Sequence, residues 1–332
     1  MVTKLSKRSY FLLGSLVVFS LLPIVLGDNR PIMHLLVLCF IWSVVAEAWN
    51  LILGYARVLS FGQIAFFALG GYTSAMLTLN WGMSPWLGIL LGGSLAAGVG
   101  LIIGLICLKL RGIYTAVVSF AVHLVLPVLI SAGAELGTGG TYGLLSIPPL
   151  YIGGYTFSKL QMVPWYYVAF GVSALFLFVI YKIINSPVGL AFVALRDSQP
   201  FAQSLGIDDY RYMVMVFTIS ALITGIMGGF YVHYISVISP SIFRLEVFLF
   251  ALVMVMLGGM GRFPGATFGA FIIVFLNNYL LRLATLRLVI LGAIVVAVMI
   301  ILPKGLAGIP ETVNQLLRRT SKRRGFNGDS QM

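Results

Sequence analysis

Pro85 to Leu108 reads PWLGILLGGSLAAGVGLIIGLICL, an apolar stretch without one charged side chain. About 20 apolar residues in a helix span the roughly 30 Å hydrocarbon core of a bilayer, so this stretch crosses a membrane. Its small residues Gly92, Ala96, Gly100 and Gly104 recur every fourth position and share one helix face, an arrangement that lets membrane helices approach closely. Two more such faces are written into the chain, at Ala221, Gly225 and Gly229 and at Gly261, Gly265 and Gly269. Outward from 85–108, further apolar runs fall at 10–26, 31–53, 59–79, 113–131, 164–184, 212–236, 245–260, 265–281 and 287–302. The 332 residues are 60% hydrophobic and 9% charged, against about 25% charged in soluble proteins. A soluble enzyme is excluded, and the expected fold is an all-α polytopic membrane bundle of about ten transmembrane helices.

The net charge of +12 comes from 21 Lys and Arg against 9 Asp and Glu. Its placement at the ends of apolar runs removes any need for a nucleic-acid partner. With the N-terminus inside, alternation of crossings puts sixteen basic residues on the inner side. They include Lys4, Lys7, Arg8, Arg57, Lys109, Arg111, Lys182, Arg196, Arg211, Arg262, Lys304 and the five of the tail. Only Arg30, Lys159, Arg244, Arg282 and Arg287 fall outside, which by the positive-inside rule predicts both termini in the cytoplasm. Tyr10–Leu26 follows a basic start like a secretory signal, yet no small-x-small cleavage site precedes Asp28, so a retained first helix is expected. Cys39 and Cys107 lie inside apolar runs and read as packing residues.

Two connections exceed simple turns. The outer one, about 132–163, holds Thr138-Gly139-Gly140-Thr141-Tyr142-Gly143-Leu144, whose glycines and threonines predict a shaped loop with exposed amides. The inner one, about 185–211, carries a helix start at Ser186-Pro187 and a second at Asp197-Ser198 with Pro200 in its first turn. Gly206 supplies a left-handed stop, with Ile207 placed to fold back on Ala202. A short helix from about Gln199 to Leu205 is therefore presented to the cytoplasm, either as a docking element or as a plain surface helix.

No phosphate-cradling Gly-x-x-x-x-Gly-Lys-Ser/Thr occurs, so the chain does not hydrolyse ATP by that route. His34, His123 and His233 are scattered over different helices without a Glu-x-x-His or Cys partner, which argues against a metal site. Two carboxylates fall within crossings. Glu47, at membrane depth, is a candidate for lining a substrate pathway, while Glu246 near Arg244 is expected to form an interfacial ion pair. Helices interrupted by glycine often bind polar solutes in transporters. The stretches Leu53–Gln63, with Ser60, Gly62 and Gln63, and Leu257–Gly265 fit that pattern or that of tight turns.

These residues resemble the LivM-type permease subunits of branched-chain amino acid ABC importers over about Gly54 to Leu306. The likeness rests on Gly54-Tyr55-Ala56, Leu59-Ser60-Phe61-Gly62-Gln63-Ile64-Ala65-Phe66-Phe67, Arg111-Gly112-Ile113-Tyr114 and the Thr138–Leu144 loop. It continues through Ser186-Pro187-Val188-Gly189, Arg196-Asp197, Leu205-Gly206-Ile207, Leu257-Gly258-Gly259-Met260-Gly261 and Pro303-Lys304-Gly305-Leu306. The Thr-Gly-Gly loop, at Thr138, Gly139 and Gly140, favours the LivM type over the shorter LivH type.

The resemblance implies a heteromeric ATP-driven importer: this chain, a LivH-type second permease, cytoplasmic ATPase subunits and an extracytoplasmic substrate-binding protein, in the inner membrane of a prokaryote. The chain then needs no cofactor, ATP and Mg being bound by the partner ATPases. Residues 1–308 would form the permease domain and 309–332 a basic cytoplasmic tail, with Arg196, Asp197, Gln199, Leu205, Gly206 and Asp208 coupling to the ATPase. The family commonly carries Arg-Ala after Gly189 and Glu-x-Ala-Ala farther on, where this chain has Leu190-Ala191 and Gln199-Pro200-Phe201-Ala202. Related permeases serve urea and short amides. A secondary transporter or channel is the alternative from another class, against which stand the lack of a filter-like sequence and the few intramembrane ionisable groups.

Overall fold

The computed structural model of the protein describes residues 18–25, 29–107, 112–157, 161–280, 286–301 and 305–308. Eleven helices follow one another: α1 Arg30–Asn50, α2 Gln63–Asn80, α3 Pro85–Cys107, α4 Ile113–Ala132, α5 Met162–Ile184, α6 Pro187–Asp197, α7 Gln199–Ser204, α8 Asp209–Ile235, α9 Leu245–Gly258, α10 Gly265–Leu280 and α11 Leu286–Ile301. Residues 18–25 are also helical. The protein is an all-α membrane bundle, and among the described residues strand is confined to four two-residue pieces. These are β1 Leu144–Leu145, β2 Tyr151–Ile152, β3 Tyr155–Thr156 and β4 Val237–Ile238, where β1 pairs with β4 and β2 with β3, both antiparallel.

Among the described residues, five helices are long and apolar enough to cross a bilayer: α1 with the turn that continues it to Tyr55, α3, α4, α5 and α8. The runs at 245–260 and 265–281 give helices of only 14 and 16 residues, about 21 and 24 Å at 1.5 Å per residue, short of a full crossing. Gly258 and Gly259, the latter at φ 105°, end α9 where hydropathy alone reads on. Of the expected first helix, 10–17 and 26 lie outside the described residues, as do Lys4, Lys7, Arg8, Lys109, Arg111, Lys159, Arg282, Lys304 and the 309–332 tail.

Helix α1 is buried nearly all round, while α4 and α5 are mostly exposed on their apolar faces. In a bilayer no hydrophobic drive holds helices together, so close van der Waals packing must do it. The small-residue faces do so here: those of α3 and α8 meet each other, and α2 joins them. A Cβ built on Gly70 of α2 would fall 2.1 Å from the Gly225 carbonyl oxygen, one on Gly92 2.4 Å from the Gly70 carbonyl oxygen, and one on Gly100 2.5 Å from the Ala221 Cβ. The third expected face is only partly formed: Gly261 lies ahead of α10 at φ 71° and meets Gly54, while Gly265 and Gly269 close α10 on α9, where a Cβ on Gly269 would fall 2.0 Å from the Met254 carbonyl oxygen. Cys39 and Cys107 are buried and unpaired.

The connections before and after α4, α5 and α8 segregate to two ends. At one end, Thr138 Oγ1 donates to the Ile130 carbonyl at 2.7 Å and accepts from the Gly140 amide at 3.3 Å. Gly139 and Gly140 take positive φ (73° and 57°), and the Gly143 amide turns back onto the Gly139 carbonyl at 3.2 Å. The loop thus spends these amides internally rather than exposing them. Leu144 and Leu145 pair with Ile238 and Val237, and His233 joins Ser74 (Nε2, 2.8 Å) to the Pro148 carbonyl (Nδ1, 2.7 Å). Residues 185–209 lie at the opposite end. The positive-inside expectation puts that end in the cytoplasm, so Ser198→Cys should react with an impermeant maleimide only from inside and Thr141→Cys only from outside. Labelling of Ser198→Cys from outside in intact cells would reverse the orientation.

Arg244 and Glu246 form no ion pair among the described residues; Glu246 sits instead in the first turn of α9, where a carboxylate complements the positive end of the helix.

Candidate functional site

The two glycine-rich stretches touch: the first interrupts the run from α1 to α2, and the second is the turn between α9 and α10. After Asn50 the chain makes one π-turn, Leu51–Tyr55, then runs irregularly to Gly62. A Cβ on Gly54 would fall 2.0 Å from the Gly261 amide nitrogen, so only glycine allows the first break to lie against the loop between α9 and α10. Asn50 Oδ1 accepts from the Gly261 amide at 2.8 Å, and its Nδ2 donates to Glu47 Oε2 at 3.1 Å.

Glu47, fully buried, accepts through Oε1 from the Thr267 amide at 3.0 Å and the Thr267 hydroxyl at 3.3 Å. Thr267 is in the first turn of α10, whose free amides carry partial positive charge. A carboxylate inside the membrane is thereby satisfied without a basic partner. Asn50 and Thr267, which the sequence did not single out, complete this clamp.

Gln63, also fully buried, donates from Nε2 to Ser220 Oγ at 2.9 Å and to Thr224 Oγ1, while Ser220 Oγ donates to the Ala48 carbonyl at 2.6 Å. Ser220 and Thr224 stand one turn apart on α8, a spacing that could have marked them. The Ser60 carbonyl accepts from Trp49 Nε1 at 2.8 Å, and the buried Ser60 hydroxyl has no hydrogen-bond partner among the described residues. Gly62 is buried beside Ser119, whose hydroxyl accepts from the Phe61 amide at 2.9 Å. Ser60, Gly62 and Gln63 are thus neighbours along the start of α2 and reach α1 at Trp49 and Ala48, whereas the Glu47 carboxylate bonds Asn50 and Thr267 instead.

The inner loop folds much as its local signals require. Ser186 caps α6, Gly206 takes φ 81°, and the Ile207 amide bonds back to the Ala202 carbonyl at 3.1 Å, ending α7. Ser198 makes no side-chain cap, and Asp197 instead pairs with Arg196 at 2.9 Å. Asp208 is committed to capping α8, accepting from the Tyr210 and Arg211 amides at 3.1 and 3.3 Å. Gln199 Nε2 donates to the Asp209 carboxylate. Arg196 Nη1 reaches the Gly54 carbonyl at 3.5 Å, linking this loop to the break in α1. Leu190, Phe201 and Leu205 are about two-thirds exposed, and of these Leu190 stands where the resemblance expects an arginine, while Gln199 replaces the expected glutamate with an uncharged polar side chain. Between the loop and residues 56–59 lies a cavity of about 470 Å³.

The family described as "Branched-chain amino acid transport system / permease component" matches residues 32–302. The chain is 28% identical to the high-affinity branched-chain amino acid transport system permease protein LivM of Escherichia coli strain K12, over 96% of this chain and 79% of that protein. The Salmonella typhimurium protein of the same name matches at the same identity and coverage. A probable branched-chain amino acid transport permease protein LivM of Methanocaldococcus jannaschii is 23% identical over 69% of this chain and 75% of its own length. No solved structure matches.

Proposed function

Because the chain belongs to the branched-chain amino acid transport permease family, we propose that it is one membrane subunit of an ATP-driven importer that carries branched-chain or related apolar amino acids inward. A second permease completes the membrane part, a binding protein delivers substrate from outside, and partner subunits bind ATP with Mg and hydrolyse it. The substrate class rests on the names of the relatives. Ser60, Gly62 and Gln63 at the start of α2, and separately Glu47 on α1, are the candidate pathway lining, and 1–308 is the permease domain.

The observation that carries the ATP-driven reading is the folded loop of α6 and α7. It exposes Leu190, Phe201 and Leu205 to water at the end assigned to the cytoplasm, and through Arg196 it touches the Gly54 carbonyl. Exposed apolar groups on an otherwise capped and internally bonded loop suit a protein partner, and the Arg196 bond gives that partner a grip on the broken helix.

Reconstitution of the complete complex tests this. Arg196→Glu should assemble normally yet lose most substrate-stimulated ATP hydrolysis and uptake. Gly206→Val, which forces a β-branched residue into a left-handed φ, should misplace Ile207 at a local cost of about 1 kcal/mol or more and uncouple likewise. Full uptake and hydrolysis in both variants, or net uptake without ATP by this chain alone, would refute the reading.

A further inference from the structure

The 470 Å³ cavity beneath the inner loop is lined by groups of both charges and by apolar side chains. Arg57 and Asp209 both line it. Among the described residues Arg57 forms no ion pair, and Asp209 receives only the Gln199 amide. Arg57 also holds a left-handed φ of 53°, rare for a residue with a side chain and of a kind that clusters at functional sites. The remaining wall includes Phe192, Leu195, Leu59 and Met213. A volume of this size with a mostly apolar wall and a few convergent polar groups is the ordinary form of a small-molecule site.

A cation and an anion that line one cavity without pairing with each other form a template for a zwitterion. The geometry points to this cavity as a cytoplasmic binding site for a free apolar α-amino acid, its carboxylate on Arg57, its ammonium on Asp209 and its side chain against Phe192, Leu59 and Met213. A guanidinium matches a carboxylate in a charge-assisted, two-pronged bond. Urea and neutral amides match neither charge, and a fatty acid matches only the guanidinium. Gln199 and Arg196 belong at once to the cavity wall and to the loop proposed to meet the ATPase, so an occupant would lie where import is driven. The substrate class named here rests on the function proposed above.

The complex of this chain with its partner permease and ATPases, purified without the binding protein, is titrated with radiolabelled leucine. Saturable binding is expected. Leucinamide, which lacks the carboxylate, and 4-methylpentanoate, which lacks the ammonium, should bind at least tenfold more weakly. Arg57→Gln and Asp209→Asn should each weaken leucine binding by a similar factor. Equal binding of all three ligands to the wild-type complex overturns the site whatever the variants do, and so does leucine binding that neither substitution changes. ATP-dependent leucine uptake by the wild-type complex with binding protein restored is measured in parallel: uptake without saturable inner binding removes this site alone, and absence of uptake removes the transport reading.

Discussion

Gly228→Val is expected to leave no folded permease in the membrane, whereas Gly98→Val on α3 should accumulate like the wild type. A Cβ on Gly228 would lie 1.9 Å from the Phe67 carbonyl oxygen, and one on Gly98 meets nothing within 4 Å. The obstacle at Gly228 is backbone of α2, which cannot rotate aside as a side chain can. Valine there must separate α2 from α8 along their length, breaking the neighbouring contact of Gly70 with Gly225 as well. Overpacking a close interface costs about 1–3 kcal/mol when side chains can give, and more where only backbone stands in the way. Fluorescence-detected gel filtration of detergent extracts checks this: a monodisperse peak for Gly98→Val and none for Gly228→Val. Equal peaks would mean that the α2–α8 contact is not close.

Glu47→Ala is expected to cost on the order of 3 kcal/mol or more, because the Thr267 amide, the Thr267 hydroxyl and the Asn50 amide all lose an acceptor in a buried place, at about 1–3 kcal/mol for each group left unsatisfied. Glu47→Gln keeps a carbonyl oxygen for Thr267 and gives up the charge, so it should retain most of the stability. Thermal unfolding of the purified complex should order wild type, then Gln, then Ala well below. An Ala variant as stable as wild type would show that the clamp does not hold the two stretches together. Uptake per assembled Gln complex then reads what the charge itself adds to transport.

Those two cases mark the line between what the residues announce locally and what only folding reveals. The bounds of α3 are plain because Pro85 opens a run that meets no charge before Lys109, and α6 and α7 are plain because Pro187, Pro200 and Gly206 each permit few backbone conformations. The glycine repeats at Gly92–Gly104 and Ala221–Gly229 announce close packing, though not that they face one another. The contact between Gly54 and Gly261 could not be read, since nothing local to either stretch names a partner about two hundred residues away. Likewise Glu47 signals a satisfied intramembrane charge, while its acceptor role at the start of α10 depends on two helices meeting. The Arg244–Glu246 pair shows the reverse error: proximity in sequence suggested an ion pair where the turn into α9 places the two apart in role, one ahead of the helix and one in its first turn.

Helix α8 begins at the Asp208 cap, directly after the inner loop, and ends at Ser236, directly before the strand that pairs with the outer loop. Its 27 residues make a strut of about 40 Å, with no proline along it and with α2 and α3 pressed against its flank at glycine distance. Such a strut works as a tie-rod between two walls. An axial push on the outer ribbon would have in α8 a direct route to the inner loop, with no proline to fold it and no clearance at its glycine contacts to take up slack.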